Sequence, residues 1–179
     1  FDTRLSLSSA NVDAVIKKRI LEKNDTAAQT LRLLYGQEET TIKNKIVFTD
    51  SVERKLYTGK DDFAAVYPFI PYQFNLLGSV LTAIRTHGAS GKHLSEGERS
   101  MLAMFKESAV AYMHEQQGMI IPFYAFYTPM ENFLDHSHRS VIIKAYENDY
   151  INPDHKTGDV FAINVLKTLF LIKYVQDMT

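Results

Sequence analysis

The chain has 179 residues, of which 45% are hydrophobic and 23% are charged, and its formal net charge is -1. This composition is typical of a globular protein with a sizeable core, and the near-zero charge excludes an overall electrostatic attraction to nucleic acid or anionic lipid. The sequence contains no cysteine. Disulfide scaffolds, thiolate zinc sites and cysteine nucleophiles are therefore excluded, and a reducing cytoplasm fits this composition.

The sequence predicts neither a signal peptide nor a membrane span. The chain begins at Phe1 without Met, and no apolar run follows a basic start; this start indicates a piece of a larger protein. The most apolar segment, residues 160–175, is interrupted by Asn164, Lys167 and Lys173 and is shorter than the roughly 20 residues that a span needs. We interpret it as a buried helix.

Apolar residues at helical spacing predict two short helices near the start. Val12, Ile16 and Ile20 lie on one face of the first. The second is predicted to begin at Thr26-Ala27-Ala28-Gln29, which has the form of a capping box, and to end at Gly36. Residues 40–62 are polar and mixed, with a short extended piece predicted at 46–48.

Prolines and glycines mark the next boundaries. A short helix is predicted over 61–67, ended by Pro68, and Pro71 is expected to open the next one. That helix carries the apolar stripe from Phe74 to Ile84 and is expected to end at Gly88. The longest helical pattern follows over 101–113 and stops before Gly118.

The last third of the chain predicts one connection and two or three helices. Residues 119–127 are almost all apolar and include a proline, which favours a buried extended connection over a central strand. Thr128-Pro129-Met130-Glu131 has the form of a helix start, with one long or two broken helices after it. The final helix is predicted over about 159–177. The predicted fold class is an all-α, multi-helix bundle of six to eight helices with little or no sheet, whose core comprises the stripes at 12–20, 74–84, 101–113 and 161–175.

The stretch "RTHGASGKHLSEGERS" at 85–100 contains two fragments of nucleotide-binding motifs. A phosphate-binding loop needs a glycine where Thr86 stands and a Ser or Thr where His93 follows Gly91-Lys92, so we reject that interpretation. The segment 94–98 has the form of an ABC signature, but no apolar strand ending in acidic residues follows. A capping box between Ser95 and Glu98 at the start of a helix is the simpler interpretation.

Two further clusters have possible chemistry, and each has a plainer explanation. His136 and His138 beside Asp135 could be metal ligands, but histidines two positions apart on a helix point away from each other, so we predict a solvated or helix-terminal role and no metal site. Lys17, Lys18 and Arg19 form a short basic run that could contact nucleic acid. Such runs are usually solvated, and here no aromatic residues alternate with them.

Two segments carry a resemblance to a known family. They read "YPFIPYQFNLLGSVLTAIRTHGASGKHLSEGERSMLAMFKESA" (67–109) and "RLSLSSANVDAVIKKRILEK" (4–23), with a weaker match in "FAINVLKTLFLIKYV" (161–175). They resemble the P-loop proteins of BREX bacteriophage-defence systems, of the BrxC or PglY type, which are large AAA+-like ATPases.

The resemblance implies that the Walker A and Walker B motifs lie upstream of Phe1 and that ATP and magnesium belong to the parent ATPase, with no cofactor in this piece. The chain would then be a helical, lid-like region over 1–117 followed by a second helical region over 118–179, with a further helical or winged-helix domain after it. In that arrangement Arg99, Arg4 and Lys92 are candidates for sensing the nucleotide, because a cationic side chain can neutralise charge on the outer phosphates. No catalytic residue is assigned to this chain.

The expected function is therefore a cytoplasmic, non-hydrolysing region of a BREX-type ATPase. It would couple nucleotide state to other subunits, to defence-system proteins or to DNA, without a membrane contact. Two alternatives remain open. One is a stand-alone helical interaction module without a nucleotide connection, and the other is a DNA-contacting helical domain that uses Lys17, Lys18, Arg19 and the final helix.

Overall fold

The structure is a computed structural model that describes residues 9–49, 53–87 and 98–175. In these ranges the chain forms eight α-helices and no strand, which confirms the predicted all-α fold. Two 3₁₀ helices, Phe123–Phe126 and Glu131–Phe133, flank the sixth α-helix. The α-helices are α1 (Ser9–Arg19), α2 (Asp25–Lys45), α3 (Lys60–Val66), α4 (Pro71–His87), α5 (Glu98–Ala111), α6 (Tyr127–Met130), α7 (His136–Tyr146) and α8 (Phe161–Ile172).

Contacts group the described residues into two compact units, each discontinuous in the sequence. The first contains the described residues within 1–77 and 101–121, and the second those within 78–100 and 122–179. The two units describe which residues contact one another. They do not test a division of the sequence into helical regions 1–117 and 118–179, which stays a prediction.

An aromatic core organises the first unit. Phe63 of α3 packs against Tyr35 of α2 and against Tyr57, with ring centroids 5.1 and 5.0 Å apart. Farther along the chain, Phe105 of α5 stacks on Phe74 of α4 at 4.6 Å. Aromatic pairs at these separations contribute roughly 0.5–1.5 kcal/mol each beyond their buried area.

Gln73 fixes the turn that leads into α4. Its side chain is fully buried; it accepts a hydrogen bond from the Ile70 N–H at 2.9 Å and donates one to the Ile121 carbonyl at 2.8 Å. A buried amide with both ends bonded carries no desolvation penalty from unpaired groups. As predicted, Pro68 follows the end of α3 and Pro71 is the first residue of α4.

The second unit has an aliphatic and aromatic core. α7 and α8 pack on each other, and α8 also packs on the short helices Phe123–Phe126 and Tyr127–Met130. The residues of this unit that are almost completely inaccessible to solvent include Leu81, Ile84, Phe126, Met130, Leu134, Ile163 and Leu171. The stripes predicted at 74–84 and 161–175 supply members of this core.

The prediction for α2 was wrong at both ends. The N-cap is Asn24, whose side chain accepts a hydrogen bond from the Ala27 N–H, and the capping-box position at Thr26 lies inside the helix. Gly36 does not end the helix, which continues to Lys45 and so includes residues 40–45 of the segment described above as polar and mixed. Burial of Ile42 explains the extension, because packing outweighs the helix penalty of one glycine.

Residues 119–134 also differ from the prediction. The apolar run contains a 3₁₀ helix at Phe123–Phe126, and α6 begins at Tyr127 without a side-chain cap, so Thr128 does not open a helix. The following helix begins later, behind Asp135, whose carboxylate accepts a hydrogen bond from the Ser137 N–H at 2.9 Å. The "broken" alternative is therefore confirmed.

Other predicted boundaries are met in part. α8 begins at Phe161 and ends at Ile172, inside the predicted range of 159–177, and residues 46–49 contain no strand. The predicted stop at Gly88, the Gly91-Lys92 pair and the Ser95 cap lie outside the described residues. None of the described helices is long and apolar enough to cross a membrane.

Candidate functional site

Of the three predicted nucleotide-sensing residues, the structure places one. Arg99 lies in the first turn of α5 and its side chain is exposed to solvent. Arg4 and Lys92 lie outside the described residues. Its role in sensing nucleotide stays a prediction.

The predicted nucleic-acid residues form the last turn of α1. Lys18 and Arg19 are exposed, whereas Lys17 is half-buried and its Nζ lies 3.8 Å from the Asp62 carboxylate at the start of α3. Nearby, burial raises the pKa of Asp13, against the opposing effect of Lys17 and Lys55. One of the three cations is therefore already paired within the chain.

His136 and His138 have different surroundings, and of the predicted solvated or helix-terminal role only the helix-terminal part describes His138. His136 is exposed, but His138 is 3% exposed, and its ring lies flat on Phe170 of α8 with centroids 4.2 Å apart. Its Nε2 lies 3.4 Å from Lys173 Nζ. Because an ammonium group can only donate hydrogen bonds, this contact requires Nε2 to accept and the ring proton to lie on Nδ1. That buried Nδ1 has no hydrogen-bond partner in the part of the chain that the structure describes.

No group of three or more His, Asp or Glu side chains that could hold a metal ion occurs among the described residues. His138 instead serves as a packing residue between α7 and α8, and its helix-terminal position in the first turn of α7 agrees with the other half of the prediction.

Lys167 of α8 lies between two tyrosine rings. Lys167 Nζ lies 5.8 Å from the Tyr127 ring centroid and 5.6 Å from that of Tyr146, and it donates a hydrogen bond to the Tyr146 hydroxyl at 3.3 Å. The Tyr146 hydroxyl in turn donates to the Gly158 carbonyl at 2.9 Å. Burial raises the pKa of Tyr127 to about 12, so its hydroxyl stays protonated.

The outer side of α8 is apolar and exposed. Phe161, Val165 and Leu169 have exposed fractions of 83%, 43% and 53%, and residues spaced by four lie on one face of a helix. Ile163 and Leu171 occupy the buried face of the same helix. We call the three exposed residues Phe161, Val165 and Leu169 the outer stripe of α8.

Sequence reasoning missed this stripe because it assigned the whole segment 160–175 to the interior. The signal was nevertheless present: apolar residues occur at positions 161, 165 and 169 in addition to 163 and 171. An amphipathic surface helix needs only one apolar side, and the buried one accounts for positions 163 and 171. The apolar residues at 161, 165 and 169 therefore indicate a second apolar side.

No model of a known protein family matches this chain, and no solved structure matches it significantly.

Proposed function

We propose that the chain is a helical, non-hydrolysing binding region of a BREX-type P-loop ATPase of bacteriophage defence, acting in the bacterial cytoplasm. It couples the nucleotide state of that ATPase to a partner macromolecule. The binding role is carried by one observation, the outer stripe of α8, because a contiguous apolar face on an exposed helix is typical of an interaction surface. The ATPase context is supported by the resemblance of residues 4–23 and 67–109.

In this proposal no hydrolytic step is assigned to the chain. Several ionisable side chains form separate ion pairs, such as Arg139 with Glu131 and Arg32 with Asp61, and no cluster with the composition of a metal site occurs among the described residues. ATP and magnesium would be held by the upstream P-loop core. Within this chain Arg99 is the residue assigned to reach the outer phosphates, where a guanidinium stabilises negative charge.

A titration with a fluorescent ATP analogue and magnesium tests the proposal. The chain alone is expected not to bind, and a longer protein that includes the upstream segment is expected to bind. Arg99→Ala in the longer protein should weaken binding by a factor of about ten or more, as loss of a charge-assisted contact to phosphate requires.

Lys106→Ala is the matched control, since Lys106 is an exposed cation on the same helix, two turns from Arg99. Equal affinities for the Arg99→Ala and Lys106→Ala proteins would remove Arg99 from the nucleotide site. Tight binding by the chain alone would contradict the assignment of the nucleotide to an upstream core.

The outer stripe of α8 also favours a second candidate function, that of an interaction module with no nucleotide connection. The two candidates differ in one measurement. If the longer protein binds no ATP analogue, while variants of the outer stripe still abolish partner binding, the interaction module is the correct function.

A further inference from the structure

The outer stripe runs along two turns of α8. Phe161 and Leu169 are eight positions apart, which at 1.5 Å per residue is about 12 Å along the helix axis, with Val165 midway between them. Ala162 is exposed beside them. A helix that is apolar on both sides is normally covered on both, because leaving one side in water forgoes roughly 25 cal/mol for every Å² of apolar surface.

Charges of opposite sign lie at the two ends of the stripe. Asp159 is exposed, two positions before Phe161, and Lys173 is exposed, four positions after Leu169. The Asp159 carboxylate accepts a hydrogen bond from the Asn164 amide of α8, which holds the acidic group at the N-terminal end of the helix. The stripe therefore begins beside a carboxylate and ends beside an ammonium group.

If a second copy of the chain is turned end for end, its acidic end faces the basic end of the first copy, so the surface is complementary to itself. We propose that the outer stripe is a self-association surface on which a second copy of this chain docks, with the two α8 helices antiparallel. The reversal brings Lys173 of each copy to the end of the stripe where the other copy has Asp159. A parallel arrangement would instead place like charges side by side, which is unfavourable.

Two-fold symmetry fixes which apolar residues meet. Because Val165 is midway along the stripe, it lies near the two-fold axis, and Phe161 of each copy packs against Leu169 of the other. The dipoles of the two helices are also opposed, which is favourable for neighbouring helices.

The expected affinity follows from the size of the surface. One pair of short helices covers less than the roughly 1,600 Å² that a standard stable interface buries. We therefore expect a reversible dimer with a dissociation constant in the micromolar range, which a multisubunit assembly would reinforce.

The inference rests on the proposed function only in taking α8 as a surface that binds a protein partner. It makes no use of nucleotide. A chain that stays monomeric while its longer version still binds ATP analogue through Arg99 would overturn self-association and leave the nucleotide proposal standing.

Sedimentation equilibrium from low micromolar to near-millimolar protein is the first test. The chain should shift from monomer to dimer, and Val165→Asp should raise the dissociation constant at least about tenfold, because two carboxylates would be buried near the axis. Val141→Asp is the matched control, since Val141 of α7 is exposed to the same extent, 43%. A monomer at every concentration, or equal effects of the two substitutions, overturns the proposal.

A charge exchange tests the pairing of the ends. Lys173→Asp and Asp159→Lys should each weaken the dimer, and the double variant should recover most of the lost affinity. The single substitutions also remove contacts inside the chain, of Lys173 with His138 and of Asp159 with Asn164. Recovery in the double variant cannot come from those losses, whereas additive weakening would show that the two ends do not meet.

Disulfide cross-linking determines the relative orientation of the two α8 helices. Because the sequence has no cysteine, only the introduced thiols can form disulfides. Phe161→Cys and Leu169→Cys proteins are mixed and oxidised. The antiparallel dimer should give the mixed 161–169 disulfide faster than either homodisulfide. Faster formation of the 161–161 and 169–169 products would establish a parallel pair and overturn the arrangement proposed here.

Discussion

His138 is a titratable side chain held where its charged form is disfavoured. Burial against Phe170 lowers the pKa of the imidazole below its usual 6.5, and Lys173 of α8 adds to this effect, whereas Asp135 at the start of α7 opposes it. The folded chain therefore resists protonation of this ring more strongly than the unfolded chain does.

We expect His138 to make the protein less stable as the pH falls below about 6.5, because the unfolded state then takes up a proton that the folded state does not. Above that pH both states are neutral and the contribution vanishes. His138→Phe keeps a ring for Phe170 to stack on and should flatten this part of the dependence of unfolding free energy on pH. Urea unfolding at pH values on either side of 6.5 measures it. His136→Phe is the control at an exposed site, and equal pH profiles for all three proteins would contradict the assignment.

Lys23 is a second residue whose surroundings change its acid–base behaviour. Its Nζ donates hydrogen bonds to the Leu21 carbonyl at 2.7 Å and to the Ala65 carbonyl at 3.4 Å. Burial lowers the pKa of the ammonium group from 10.5 to about 8. A neutral amine is a nucleophile, whereas an ammonium ion is not.

The rate of acetylation at Lys23 should therefore rise with pH with a midpoint near 8 in the folded protein. Labelling with a limiting amount of reagent, followed by peptide mass spectrometry, gives the acetylation rate of Lys23 alone. In urea the chain unfolds and the midpoint should move up toward 10.5, the usual value. A midpoint that is the same with and without urea would show that the fold does not perturb this amine.

Helix α2 contains a glycine that serves no backbone purpose. Gly36 lies in the interior of the helix, and a Cβ atom added there would meet nothing within 4 Å. Gly36→Ala should raise the free energy of unfolding by about 0.5–1 kcal/mol, because alanine loses less backbone entropy in a helix. The midpoint of urea unfolding measures the change.

Gly118 is the matched control, because there the same change to alanine is expected to lower the free energy of unfolding. Its φ angle is +91°, in the region that residues with a Cβ rarely adopt, so Gly118→Ala should destabilise the protein. If both substitutions shifted the midpoint in the same direction, backbone conformation would not explain their effects.

The elements that sequence reasoning predicted correctly are those whose signals are local. Apolar stripes identify α1, α4, α5 and α8, and the steric demands of Pro68 and Pro71 fix the end of α3 and the start of α4. Such signals need only a few neighbouring residues. They also suffice for the fold class.

The missed features depend on contacts between residues far apart in the sequence. The Ile121 N–H bonds to the Pro68 carbonyl at 2.8 Å, which ties the apolar run after residue 118 to a distant turn. His138 is buried because Phe170 covers it, and the outer stripe of α8 is exposed because the opposite face fills the core. A single sequence shows periodicity but does not say which side of a two-sided apolar helix is covered.

At the scale of the whole molecule, charge limits what the chain can bind. The net charge of -1 gives no general attraction to DNA. Of the basic run, Lys17 is engaged with Asp62, which leaves Lys18 and Arg19 as exposed cations. Any contact of this run with DNA therefore rests on about two phosphate neutralisations.

That number predicts a weak and shallow salt dependence. Each neutralised phosphate contributes about -0.9 to the slope of log affinity against log salt, so we expect a slope near -2 and a loss of about tenfold between 50 and 200 mM salt. Lys18→Ala and Arg19→Ala should each reduce the slope by about one, and Lys17→Ala should leave it nearly unchanged. Fluorescence anisotropy with a short duplex at several salt concentrations measures all four proteins. A much steeper slope that Lys17→Ala also reduces would mean that DNA displaces Asp62 and engages a wider basic surface, and the DNA-contacting function would then outrank coupling to a protein partner.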